Sequence, residues 1–192
     1  MKIGLFFGSF NPIHVGHLII ANFMATQTAL DRVWLVVSPQ NPLKEKSSLA
    51  RDYDRLHLVR LAIADNPLLA ASDVEFQLPK PSFTIDTLSH LKEKYPKNTF
   101  VLLMGSDNLA TLAKWKNYEQ LLAQYEIFVY RRPQFVPPPE FVLHPHVQLF
   151  DAPLMDISAT YIRSCRQASK SIRYLVTDAV LDYIETSSLY RK

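Results

Sequence analysis

Apolar positions fall along the chain in two rhythms. Short, nearly unbroken apolar runs at residues 2–7, 33–38 and 99–104 read as strands buried on both faces. A weaker run at 72–77 and a stronger one at 126–130 add two more. Between them apolar residues recur every three or four positions, the spacing of a helix with one buried face. From His14 to about Thr28 the marks are Leu18, Ile19, Phe23 and Met24; across 51–64 they are Leu56, Val59, Leu61 and Ile63, closed by Asn66-Pro67. Thr84 opens another helix, with Ile85, Leu88 and Leu91 on one side, ending before Pro96. Helices over 108–113 and 118–124 follow the third strong strand, and the chain closes with helices over 159–166 and 177–186. The tract 132–153 holds six of the 13 prolines and reads as an irregular connection around one short strand, 147–150. Strands alternating with helices predict a parallel sheet covered on both faces. The expectation is one doubly wound, Rossmann-like α/β domain over residues 1–192, finished by C-terminal helices.

Composition removes several classes. The chain has 192 residues, 48% apolar and 20% charged, the balance of an ordinary globular protein. Its net charge of +3, from 21 basic and 18 acidic residues, is too mild to predict nucleic-acid binding. Cys165 stands alone, so neither an internal disulfide nor a cysteine-based zinc site is expected. The first apolar run is too short for a signal peptide, and none approaches the ~20 residues of a membrane span. These bounds point to a cytoplasmic protein, and they leave room for a homo-oligomer.

Glycine changes the picture. About 13 would be usual at this length, yet there are four, and Gly4, Gly8 and Gly16 lie in the first 16 residues. Glycine is required where φ is positive or where backbone must approach something closely. Here the surrounding segment, Gly8-Ser9-Phe10-Asn11-Pro12-Ile13-His14-Val15-Gly16-His17, joins the first strand to the first helix. In an open α/β sheet that is where ligands bind, beyond the carboxyl ends of the strands. Free N–H groups at the helix start, with the helix dipole, favour an anion. His14 and His17 share one face of the first helical turn. The spacing matches neither a P-loop nor the dinucleotide fingerprint. A zinc pair lacks a carboxylate partner, so two imidazoles donating hydrogen bonds to phosphate oxygens fit better.

The segment from Gly8 through His14, with His14-Val15-Gly16-His17, resembles the signature of the nucleotidyltransferase superfamily. Ile157-Ser158-Ala159-Thr160-Tyr161-Ile162-Arg163 is similar to that superfamily's second motif. Pro81-Ser82-Phe83-Thr84-Ile85-Asp86-Thr87, Gly105-Ser106-Asp107 and Lys114-Trp115 resemble segments of its bacterial nicotinate-nucleotide adenylyltransferase branch. The likeness covers nearly the whole chain. Three positions depart from it: Phe7 replaces the first of two glycines, Asn11 an aspartate, and Ala159 a serine.

The resemblance implies adenylyl transfer from ATP, with Mg²⁺, to nicotinate mononucleotide. It places His14, His17 and Arg163 in the catalytic role, His17 nearest the α-phosphate. ATP would also meet Gly8, Ser9, Phe10, Gly16, Lys44, Gly105, Asp107, Ile157 and Ser158. Lys44, in the polar stretch 39–48, would close over the triphosphate, though a solvated surface lysine is an equal reading. The mononucleotide would meet Ser9, Thr84, Asp107, Trp115 and Lys116. Trp115 would stack on the pyridine ring, and backbone N–H groups of Thr84 and Lys116 would receive its carboxylate. No protein-bound metal is implied. Arg132, His144 and His146 are left without a role, and preference for the acid over the amide mononucleotide stays open.

Overall fold

A computed structural model describes residues 1–39 and 49–191. The expected role of Lys44 and the conformation of most of the 39–48 stretch therefore lie outside the described residues. The core is a six-stranded sheet in the order β3-β2-β1-β4-β5-β6, parallel throughout. Its strands are β1 (Lys2–Gly8), β2 (Arg32–Val37), β3 (Leu69–Ser72), β4 (Thr99–Gly105), β5 (Glu126–Tyr130) and β6 (Val147–Phe150). The helices are α1 (Val15–Gln27), α2 (Asp52–Ala62), α3 (Thr84–Lys94), α4 (Ser106–Leu109), α5 (Tyr118–Gln124), α6 (Pro139–Val142), α7 (Ala159–Gln167) and α8 (Asp178–Thr186).

Side-chain alternation along the central strands sorts the core into two layers. Phe6, Val33, Leu35, Val37, Val101, Leu103 and Phe128 face one side and pack against α1, α2, α7 and α8. Ile3, Leu5, Val36, Phe100, Leu102, Met104 and Ile127 face the other, against α3 and α5. Both faces are thus covered, which is why the strands read as continuous apolar runs. The strand order reverses between β1 and β4, so their carboxyl ends, Gly8 and Gly105, flank the crevice of a doubly wound sheet. This is the α/β architecture read from the sequence, C-terminal helices included.

Two elements differ from the sequence reading. The third strand lies at Leu69–Ser72, while Val74–Gln77 forms a tight 3₁₀ turn. Register explains it: Val33 through Val36 of β2 pair with Leu69 through Ser72, directly after the Asn66-Pro67 break. The helix expected over 108–113 is one α turn, α4, followed by a 3₁₀ turn at Leu112–Lys114. The proline-rich tract also holds the single turn α6, with Pro139 in its first turn, where a missing N–H costs nothing.

Candidate active site

The loop after β1 carries the first cluster. His14 caps α1, and its backbone N–H donates to Nδ1 of His17 at 3.3 Å. A ring nitrogen that accepts cannot carry the proton, so His17 holds its proton on Nε2 and offers it as a donor. The two imidazoles stack, with centroids 3.6 Å apart and planes 28° from parallel. Edges of Phe6 and Phe10 complete the wall around His17, at centroid distances of 6.2 and 5.1 Å. His14 is buried, and Nδ1 has no hydrogen-bond partner. Burial, aided by the nearby Arg132 guanidinium, lowers its pKa to about 4.

No glycine has positive φ; within this loop the residue in the left-handed region is Phe10, at φ 43°, buried between Ser9 and Asn11. Close approach is the glycines' reason. A Cβ on Gly16 would sit 3.1 Å from Nδ1 of His14. One on Gly105 would meet the Asp107 carboxylate and the Tyr130 ring, the latter at 3.0 Å. Gly105→Ala is therefore expected to cost about 1–3 kcal/mol, as overpacking does. Urea denaturation reads it, and a change under half a kcal/mol would mean that the turn has room to relax.

The far end of the chain closes on this loop. Ser158 caps α7, its Oγ accepting the N–H of Tyr161 at 3.1 Å. Ile157 packs onto the core beside it. Arg163 Nη1 donates to the carbonyl of Asn11 at 2.8 Å, and Nη2 to Thr160 Oγ1 at 3.3 Å. Further on, the Val15 N–H donates to the Leu175 carbonyl at 3.0 Å. The imidazole pair and Arg163 thus share one loop.

Beside the loop lies a cavity of about 210 Å³. Of the residues expected at the mononucleotide, Ser9, Thr84, Trp115 and Lys116 line it, with Gly8 at the boundary between loop and cavity. Thr84 begins α3, whose first N–H groups have no intrahelical acceptor. Lys116 reaches Asp86 at 2.8 Å and lies over the Phe83 ring at 4.7 Å. Asp107 does not line the cavity; its neighbour Asn108 does. The Asp107 carboxylate instead faces Arg132 Nε at 3.4 Å, and Ser106 Oγ accepts the Arg132 N–H at 2.8 Å. Arg132, open in the sequence, belongs at the site because β5 delivers it beside Gly105, which pairs with Tyr130.

The sequence reading missed Glu75. It lines the cavity, is buried, and accepts from Thr87 Oγ1 at 2.9 Å. Burial pushes its carboxyl up, against hydrogen bonds from Ser38, Thr87 and Ser82. It falls within 72–77, read from the sequence as a strand, where nothing marked its carboxyl as buried. His144 and His146 lie apart, His146 Nδ1 being 2.7 Å from the Leu122 carbonyl. Among the described residues, no three His, Cys, Asp or Glu side chains group as metal ligands, and no helix is long and apolar enough to cross a membrane.

Imidazole, guanidinium and helix-start N–H groups thus gather on the loop whose Gly8–Ser9 edge lines the cavity. The chain matches the cytidylyltransferase-like family over residues 5–165 and belongs to it. Proteins named probable nicotinate-nucleotide adenylyltransferase are similar along their whole length. The one from Cytophaga hutchinsonii is 55% identical over 99% of this chain and 98% of its own. That from Flavobacterium psychrophilum is 50% identical over 100% of both. Within its family the chain is thus a nicotinate-nucleotide adenylyltransferase relative of close kinship, as its motifs implied. The solved nicotinic acid mononucleotide adenylyltransferase of Plasmodium falciparum, complexed with NaAD, shares the fold. Its TM-score is 0.82 at 20% identity, over 98% of this chain and 97% of the other.

Proposed function

We propose that this enzyme transfers AMP from ATP to nicotinate mononucleotide, forming nicotinate adenine dinucleotide and releasing pyrophosphate, a step of NAD biosynthesis. The observation that carries the reading is the shared Gly8–Ser9 edge: donors for phosphate on one side, a ring-sized cavity on the other. The nucleophile is already a phosphate anion, so no base is needed. Catalysis consists of placing two phosphates in line and stabilising charge on the leaving pyrophosphate. His17, through its Nε2 proton, meets the α-phosphate; His14, uncharged above pH ~5 on its lowered pKa, backs it by stacking. Ser158 and the start of α7 add a positive helix end. Arg163 holds the loop through Asn11 and adds fixed charge. Mg²⁺ arrives on ATP as part of that substrate. The continuous sheet supports reading residues 1–192 as one domain, and a cytoplasmic setting is part of the same proposal.

In the cavity, Trp115 stacks on the pyridine ring, and N–H groups at Thr84 and Lys116 take the carboxylate. Trp115→Ala is expected to raise KM for the mononucleotide roughly tenfold or more, the size of a lost ring stack. KM for ATP stays within about twofold; an equal ATP defect would make Trp115 a packing residue.

Glu75 favours a second reading, since an ionised carboxylate beside the cavity suits an amide better than an acid. Burial answers it by holding that carboxyl toward its neutral form. The deciding experiment is pyrophosphate release with ATP and either mononucleotide. The acid should turn over on the order of 10²-fold faster, because an amide NH₂ set against N–H donors leaves polar groups unpaired. Equal rates would defeat the acid reading.

A further inference from the structure

Arg55 of α2 is the largest fully buried side chain, with no exposure of its guanidinium. Its neighbours on the helix face, Leu58, Val59 and Ala62, are core residues, so the charge stands where an apolar group would serve packing. Burying a charge is costly unless every donor is met. Here each nitrogen has an acceptor. Nη1 donates to the carbonyls of Ser9 and, at 2.9 Å, Ser38. Nη2 donates to the Pro39 carbonyl at 3.4 Å and to Asp52 Oδ1 at 2.8 Å. Nε donates to the Ala50 carbonyl at 3.1 Å. One planar group therefore joins the loop after β1, the loop after β2 and the segment before α2.

Ser9 and Ser38 both line the cavity, and Arg55, which meets their carbonyls, does not. The Ser9 carbonyl has a further consequence. In a trans peptide, C=O and N–H point in opposite directions. Drawing the Ser9 oxygen toward α2 therefore turns the Phe10 N–H away from α2. On the other side of Phe10, Arg163 holds the Asn11 carbonyl at 2.8 Å. Phe10 itself is left-handed, which an L-residue adopts only when its surroundings over-determine it. Two guanidiniums from distant parts of the chain grip the carbonyls on either side of that residue.

We infer that Arg55 is a positioning residue for the transfer: it fixes the Ser9–Phe10 peptide so that its N–H faces the transferred phosphoryl group. The inference rests on the adenylyl-transfer reading above. Lysine cannot reproduce the contact, because one ammonium cannot span acceptors set in a planar fork.

The test compares Arg55→Lys with the wild type by kcat, by KM for each substrate, and by calorimetric affinity for nicotinate mononucleotide. Circular dichroism confirms that the variant is folded. The expected result is a kcat at least tenfold lower, with mononucleotide affinity within threefold of wild type. A folded Arg55→Lys enzyme with kcat within twofold of wild type overturns the inference. So does a parallel loss of affinity and kcat, which a merely structural arginine would give. If Arg55→Lys does not fold, Asp52→Asn keeps the guanidinium and removes the carboxylate that orients it. A kcat about threefold lower with unchanged KM is then expected, and an unchanged kcat overturns the proposal. Wild-type protein that makes no dinucleotide would sink the adenylyl-transfer reading itself, an outcome separate from either variant's.

Discussion

Replacing His17 with alanine lowers kcat for dinucleotide formation by about 10²–10³-fold, the loss that follows removal of one preorganised donor to developing charge. The proton's location on the ring decides the effect. Because Nδ1 accepts the His14 N–H at 3.3 Å, the ring's donating proton sits on Nε2. That donor lies on the first turn of α1, stacked on His14 and edged by Phe10, so it has little freedom to reorient. The same substitution removes a cap, and a stability loss of about 1 kcal/mol should accompany it. Steady-state kcat with saturating ATP and mononucleotide checks the first effect, and urea denaturation the second. A kcat reduction below tenfold would remove His17 from the transition state.

The second large effect concerns acid. His14 has a pKa of about 4 in the folded protein, against an ordinary value of 6.5. Between those values the unfolded chain takes up a proton that the folded chain refuses. Stability therefore falls as pH drops through that window, is unaffected by this group above it, and levels off below it. The full difference corresponds to about 3 kcal/mol, of which about 2 kcal/mol is gone by pH 5. His14→Asn keeps a good capping residue and should remove most of this loss. Unfolding free energies of both proteins at pH 7, 6 and 5 test it. Parallel pH slopes would show that His14 titrates normally.

Much of this was legible in the sequence, for identifiable reasons. Strands β5 and β6 and helix α5 coincide with their expected bounds, because apolar runs there are sharply bracketed by polar or proline-rich segments. The loop from Gly8 to His17 stood out through its glycines, although they serve close approach and Phe10 takes the left-handed conformation. Strand β3 was misplaced because Ala70, Ala71 and Ser72 carry little hydrophobic signal. An edge strand with one partner needs little, while Val74 and Phe76 alternate more strongly.

Polar residues around the site were the least legible. Arg132 gains its place only because β4 and β5 pair, and Glu75 only because a tight turn carries it under the cavity. Arg55 offered one signal: it precedes Leu58, Val59 and Ala62 at helical spacing, on the face that packs inward. A charged residue on an apolar stripe is read as solvated until the fold shows its carbonyl partners.

The Arg163–Asn11 hydrogen bond spans 152 positions of sequence. During translation, the amino-terminal loop leaves the ribosome long before the helix that secures it. A nascent chain can therefore lay down its central strands early yet has no finished catalytic centre until α7 has emerged. Premature termination before that helix yields a polypeptide that keeps the imidazoles and has lost the grip that aligns them.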